Sequence, residues 1–206
     1  MKDGTVQVKD EAVQAKSAAK ETVVDKKLED SRRNTREWIK DLGIAAILAV
    51  LFLMFFMPTI VREHSMEDTL RQNDYVFVSR RYYTWFKHEL TRGDIIVFES
   101  ELTTASGSEK LLVKRIIAIP GDRVSIKDGK VYVNGTASDD SYTKDGYTGG
   151  EMAEVTVPAG RIFVLGDNRQ NSTDSRNAIV GFVDINAIKG KVVFRLLPFK
   201  RLGLFD

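Results

Sequence analysis

Leu111-Leu112-Val113-Lys114-Arg115-Ile116-Ile117, running on to Ile119 and closing on Pro120-Gly121-Asp122, is the stretch on which the reading of this chain turns. A short apolar run that ends on turn residues reads as a β-strand. Residues two apart in a strand share a face, so Lys114 lies between Leu112 and Ile116 while Arg115 points the other way. An amine in apolar surroundings has its charged form disfavoured, and a neutral lysine can act as a general base. Taken alone, the strand favours the plainer reading, a lysine whose stem packs and whose head reaches water.

The same kind of run recurs on both sides. Tyr75-Val76-Phe77-Val78 follows Asn73-Asp74, and Ile95-Ile96-Val97-Phe98 follows Arg92-Gly93-Asp94. Val124-Ser125-Ile126 and Val131-Tyr132-Val133 flank Lys127-Asp128-Gly129-Lys130, a hairpin signal. Val155–Val157, Ile162–Leu165 and Lys191–Phe194 complete the set. The expected fold class is mainly β, over roughly 145 residues, enough to bury a core. The polar, Gly-rich stretch Ala137–Glu154 is expected to be an exposed excursion. Arg81–His88 packs four aromatics between bases and is equally suited to core aromatics or to a patch at a membrane interface, which Leu196–Phe205 could join.

Before these strands, Leu42–Val61 runs for 20 residues without a charged side chain. That length matches the hydrocarbon layer of a bilayer, and it begins too far into the chain for a signal-peptide core. Lys26, Lys27, Arg32, Arg33, Arg36 and Lys40 precede it, whereas Arg62 and Arg71 are the bases that follow closely. By the positive-inside rule the N-terminus is cytoplasmic and the strands lie outside, with Trp38 as an interfacial anchor. The expected organisation is a charged extension 1–37, a single transmembrane helix 38–61 and an extracytoplasmic β domain 62–206.

The chain has 206 residues, 43% hydrophobic and 29% charged, with a net charge of +2. That charge is too small to argue for a nucleic-acid partner. Without cysteine there are no disulfides, thiolate ligands or cysteine nucleophiles, and two histidines make a histidine-based metal site remote. No metal or cofactor is expected.

A lysine base needs a nucleophile, and Ser65 lies just past the apolar span, in Arg62–Leu70. A Ser-His-Asp triad is disfavoured, since His64 adjoins Ser65 and neighbours on an extended chain point apart. A Ser–Lys pair follows the same logic of nucleophile and base. The polar loop Gly166–Arg176 (GDNRQNSTDSR) offers hydroxyls to orient an amine and an Asp174–Arg176 pair.

Together, SMEDTL at 65–70, KRIIAIPGD at 114–122 and GDNRQNSTDSR at 166–176 resemble the motifs of bacterial type I signal peptidases, in their Gram-positive form. RGDIIVF at 92–98 is similar to that family's intervening strand. The resemblance implies a signal-peptidase-type β domain behind a membrane anchor. It implies a serine endopeptidase that removes signal peptides from exported precursors, cutting after small residues. By the same resemblance Ser65 is the nucleophile, Lys114 the base and Ser172 the holder of the Lys114 amine. Asp174 and Arg176 brace the loop, and the Ser65 N–H donates to the oxyanion. Val61, Met66 and Val113 would line shallow apolar pockets. The implied partners are signal-peptide-bearing precursors, membrane lipid and a nearby secretion translocase. A catalytically impaired assembly factor for surface structures is the alternative. Two positions depart from the family pattern: Asp68 stands for proline, and Glu63 stands where Ser or Gly is usual. Because a carboxylate cannot donate to an oxyanion and would favour the ammonium of Lys114, Glu63, Glu67 and Asp68 are expected to turn to solvent or away from the pair.

Overall fold

The computed structural model describes residues 35–205 apart from 81, 84–88, 104–106 and 108. The expected extension thus lies mostly outside the described residues, as does most of the 81–88 segment. Helix α1 covers Thr35–Phe55 and is the one described helix long and apolar enough to cross a membrane. The expected helix over 38–61 is corrected at its end. The chain leaves the helix at Phe55, and Phe56–Ile60 forms strand β1, paired antiparallel with Tyr75–Ser79, strand β2. The cause is local: Pro58 cannot donate within a helix, while Thr59 and Ile60 are β-branched.

Among the described residues ten further strands follow in chain order. They are β3 (Ile95–Thr103), β4 (Glu109–Ala118), β5 (Arg123–Lys127), β6 (Lys130–Val133), β7 (Thr136–Ala137), β8 (Met152–Thr156), β9 (Arg161–Leu165), β10 (Val183–Asp184), β11 (Ile188–Leu197) and β12 (Gly203–Leu204). The larger sheet has the order β1-β2-β11-β3-β4-β9-β10, with β12 on β11. The smaller has the order β7-β6-β5-β8. Between β5 and β6, Asp128 and Gly129 both take positive φ, 51° and 75°, as the hairpin signal requires. The Tyr147 ring lies where a side chain at 129 would stand.

The larger sheet is buried on both faces around β3. Ile95 and Val97 pack with Val61, Met66 and Leu70, whereas Ile96 and Phe98 pack with Leu112, Ile116 and Val164. A strand buried on both faces reads as an unbroken apolar run, which is how β3 and the end of β4 appear in the sequence. β4 pairs with β3 from Glu109 to Arg115, but β9 takes up its other edge only at Arg115, Ile116 and Ala118. Among the described residues, 110–113 of β4 therefore have a strand on one side alone.

The Ala137–Glu154 excursion is not simply exposed. Thr148 is buried, Tyr142 covers Arg115, and the Lys144 N–H donates to the Asp167 carbonyl at 3.1 Å. Buried polar groups need partners, and this stretch supplies several of them. Of the aromatic segment, Tyr82 and Tyr83 are described. Tyr83 donates to Asp94 at 2.8 Å and Tyr82 stacks on Lys191, so these two serve the domain's own packing. The C-terminal segment is tied down by Arg195 and Arg201 on the buried carboxylate of Asp74, while Phe199 and Leu204 remain exposed.

Candidate active site

Lys114 sits on β4 opposite Ile96, and its side chain is almost fully buried. Its amine has two partners, the Ser65 Oγ at 2.7 Å and the Val113 carbonyl at 3.1 Å. Ser65 is buried too, in the turn that follows Val61. The two residues, 49 positions apart, are within proton-transfer reach. Burial pushes the Lys114 amine down to about 8.

Three carboxylates, Asp174, Glu63 and Asp167, act in the opposite direction. Each already has its own cation. Asp174 holds Arg176 in a two-pronged pair at 2.8 and 2.9 Å, Asp167 holds Arg115 at 2.9 and 2.7 Å, and Glu63 pairs with Lys110. Pairing mutes their field at Lys114, so desolvation prevails. The other two acids near Ser65 are likewise occupied. Glu67 meets His64 at 2.6 Å and Lys144 at 3.1 Å, and Asp68 lies 3.4 Å from Arg71. Glu63 is half exposed, as expected, but it is not remote, since its charge is felt at Lys114.

The 166–176 loop meets Ser65 through main chain. The Asn168 N–H donates to the Ser65 carbonyl at 3.0 Å, and Asn168 Nδ2 donates to the His64 carbonyl at 3.1 Å. Gly166 allows this approach, because a Cβ there would collide with both the Ser65 carbonyl and the Ser172 side chain. Asp174 Oδ2 in turn accepts the Gly166 N–H at 3.1 Å. Ser172 departs from its expected place. Its hydroxyl is buried in the gap above Gly166 and has no hydrogen-bond partner, and the Lys114 amine turns to Val113 instead.

On the far side of β4, Arg115 binds Asp167 and the Gly93 carbonyl, with the Tyr142 ring 4.0 Å from its guanidinium. Thr69 donates to the same Asp167 at 2.5 Å. Arg169 adds the Gly166 carbonyl at 3.0 Å, Thr148, and Asp140 at 3.2 Å. Sequence reasoning missed Asp167, Asn168, Thr69 and Tyr142. One signal was available: an arginine directed away from Lys114 into a buried sheet demands an acid, and Asp167 opens the polar loop.

Two clefts meet at Ser65. One, of about 600 Å³, runs past Val61, Met66 and Val113, the three residues expected to line an apolar pocket. The other, of about 540 Å³, runs past Gln170, Asn171 and Thr173. Ser65, Arg62, Glu63 and Lys110 line both. Among the described residues no cluster of His, Asp and Glu could hold a metal ion.

Comparison with known proteins gives the same direction. Residues 35–197 match the family model for signal peptidase, peptidase S26. A signal peptidase I of Bacillus licheniformis is 34% identical over 89% of this chain and the whole of that protein. One from Bacillus caldolyticus is 40% identical over 76% of this chain and 88% of its own length. A solved signal peptidase I from Enterococcus faecalis is 32% identical, with a TM-score of 0.41 over 51% of this chain and 97% of that one.

Proposed function

The chain belongs to the signal peptidase family, peptidase S26, and from this premise we infer how its residues cut a signal peptide from an exported precursor. It is a membrane-anchored serine endopeptidase of the signal peptidase I type. The alternative of an impaired assembly factor is not favoured by relatives of this name and identity.

The single observation that carries the mechanism is the buried contact of 2.7 Å between Lys114 Nζ and Ser65 Oγ. With the amine neutral, the contact runs from Oγ–H to Nζ. Ser65 Oγ attacks the scissile carbonyl carbon as its proton passes to Lys114. The resulting ammonium gives that proton to the leaving amine, and the acyl-enzyme forms. Lys114 then takes a proton from water, which attacks the ester and frees Ser65. The Ser65 N–H faces the developing oxyanion. Asp174 and Arg176 hold the loop that supports the Ser65 main chain.

The substrate lies extended along the free edge of β4 at 110–113, where main-chain groups await a partner strand. Residues before the cut rest against Val61, Met66 and Val113, which leave room for alanine-sized side chains. The charge bias around α1 keeps the N-terminus cytoplasmic and the β domain outside. A shared bilayer, and proximity to the translocase, raise the effective concentration of precursor.

The test is cleavage of a precursor with Ala at both motif positions by the full chain in detergent. Ser65→Ala and Lys114→Ala are each expected to lose at least about 10³-fold in kcat. Turnover equal to the unsubstituted chain in either variant would overturn the mechanism.

A further inference from the structure

The residues flanking Ser65 carry charge that the reaction just described does not use. Arg62 and the Glu63–Lys110 pair stand where the two clefts join. In the second cleft Glu63 is the one carboxylate among the described lining residues, against two permanent cations, Arg62 and Lys110. Among the described residues no carboxylate pairs with the Arg62 guanidinium, which is exposed. The Glu63–Lys110 pair is itself 45% and 38% exposed at its side chains. An exposed pair of this kind is worth little, so an incoming carboxylate can share Lys110 at small cost.

We propose that this junction selects precursors with acidic residues directly after the cut. The inference rests on the reading under Proposed function. With the residues before the cut in the cleft beside Val61, Met66 and Val113, the second cleft, which shares Ser65, Arg62 and Lys110 with the first, is left for the chain after the cut. Its first side chains then pass Arg62 and Lys110. An aspartate there accepts from Arg62 and competes with Glu63 for Lys110. A lysine there meets two like charges and displaces Lys110 from Glu63. Adjacent side chains of an extended segment point to opposite sides, so one of the first two residues faces the cations in either register.

Three precursors test this, identical up to the cut and carrying Asp-Asp, Asn-Asn or Lys-Lys after it, with the full chain in detergent. The expected kcat/KM falls in that order, with Asp-Asp about three- to tenfold above Lys-Lys. Arg62→Gln and Lys110→Gln should each shrink that ratio, and about 0.5 M NaCl should bring it close to one. Equal cleavage of all three, a preference for Lys-Lys, or an Asp-Asp preference unmoved by both variants overturns the selection while leaving the peptidase reading intact. Cleavage of none, or cleavage that survives Ser65→Ala, defeats the peptidase reading instead.

Discussion

At Lys114 two effects oppose each other, and burial is the larger. Burial lowers the amine to about 8, whereas Asp174, Glu63 and Asp167 pull it up. The Lys110 charge, which pairs with Glu63, adds to the effect of burial. Below pH 8 the amine is protonated and cannot take a proton, so kcat/KM should rise with pH through an apparent pKa near 8. Glu63→Gln leaves Lys110 uncompensated and should move that limb down by less than about one pH unit. Lys110→Gln should move it up, and the double variant should restore it. A pH–rate profile flat between about pH 6 and 9 would rule out Lys114 as the titrating base. The sequence alone showed the alternation that buries Lys114. It did not show that Glu63 finds Lys110, because that pair joins segments 47 positions apart. A distance of this kind is set by the sheet, not by local pattern.

At the scale of elements, the 166–176 loop acts on the turn carrying Ser65 through backbone contacts. Gly166 is the point of closest approach. Gly166→Ala should push the loop off the Ser65 carbonyl and cost about 10–100-fold in kcat with the β-sheet circular dichroism retained. A loss under about twofold would mean that the loop does not position the nucleophile. The strands themselves were legible, since β2, β3, the β5–β6 hairpin and β9 each stand where a short apolar run meets turn residues. The end of α1 was not. Hydropathy runs on to Val61, and apolar continuity cannot distinguish the last turn of a helix from a strand. Nor was the 137–154 excursion, whose polar residues were read as solvated. They are polar because Thr148 and Asp140 serve the buried Arg169, while the Tyr142 ring covers Arg115.

At the scale of the molecule, the chain divides into a unit up to Phe52 and another from Leu53 onward. The second unit includes β1, so an expected boundary at 62 would strip a strand from the edge of the larger sheet. A chain starting at Leu53 should keep a cooperative melt and cut a short soluble peptide. One starting at residue 62 should melt lower and aggregate, because the bare edge of β2 invites pairing. Equal melting temperatures for the two would show β1 to be dispensable. The half-dressed edge of β4 has a further consequence. A strand edge accepts only backbone that is already stretched and has hydrogen-bonding groups to spare. A helix or a finished globular domain has none to give. With the substrate on this edge, as proposed, an extended precursor is told from a folded protein by chain conformation. On that proposal a bond held in folded structure is spared, and the window for cutting closes when the region around it folds.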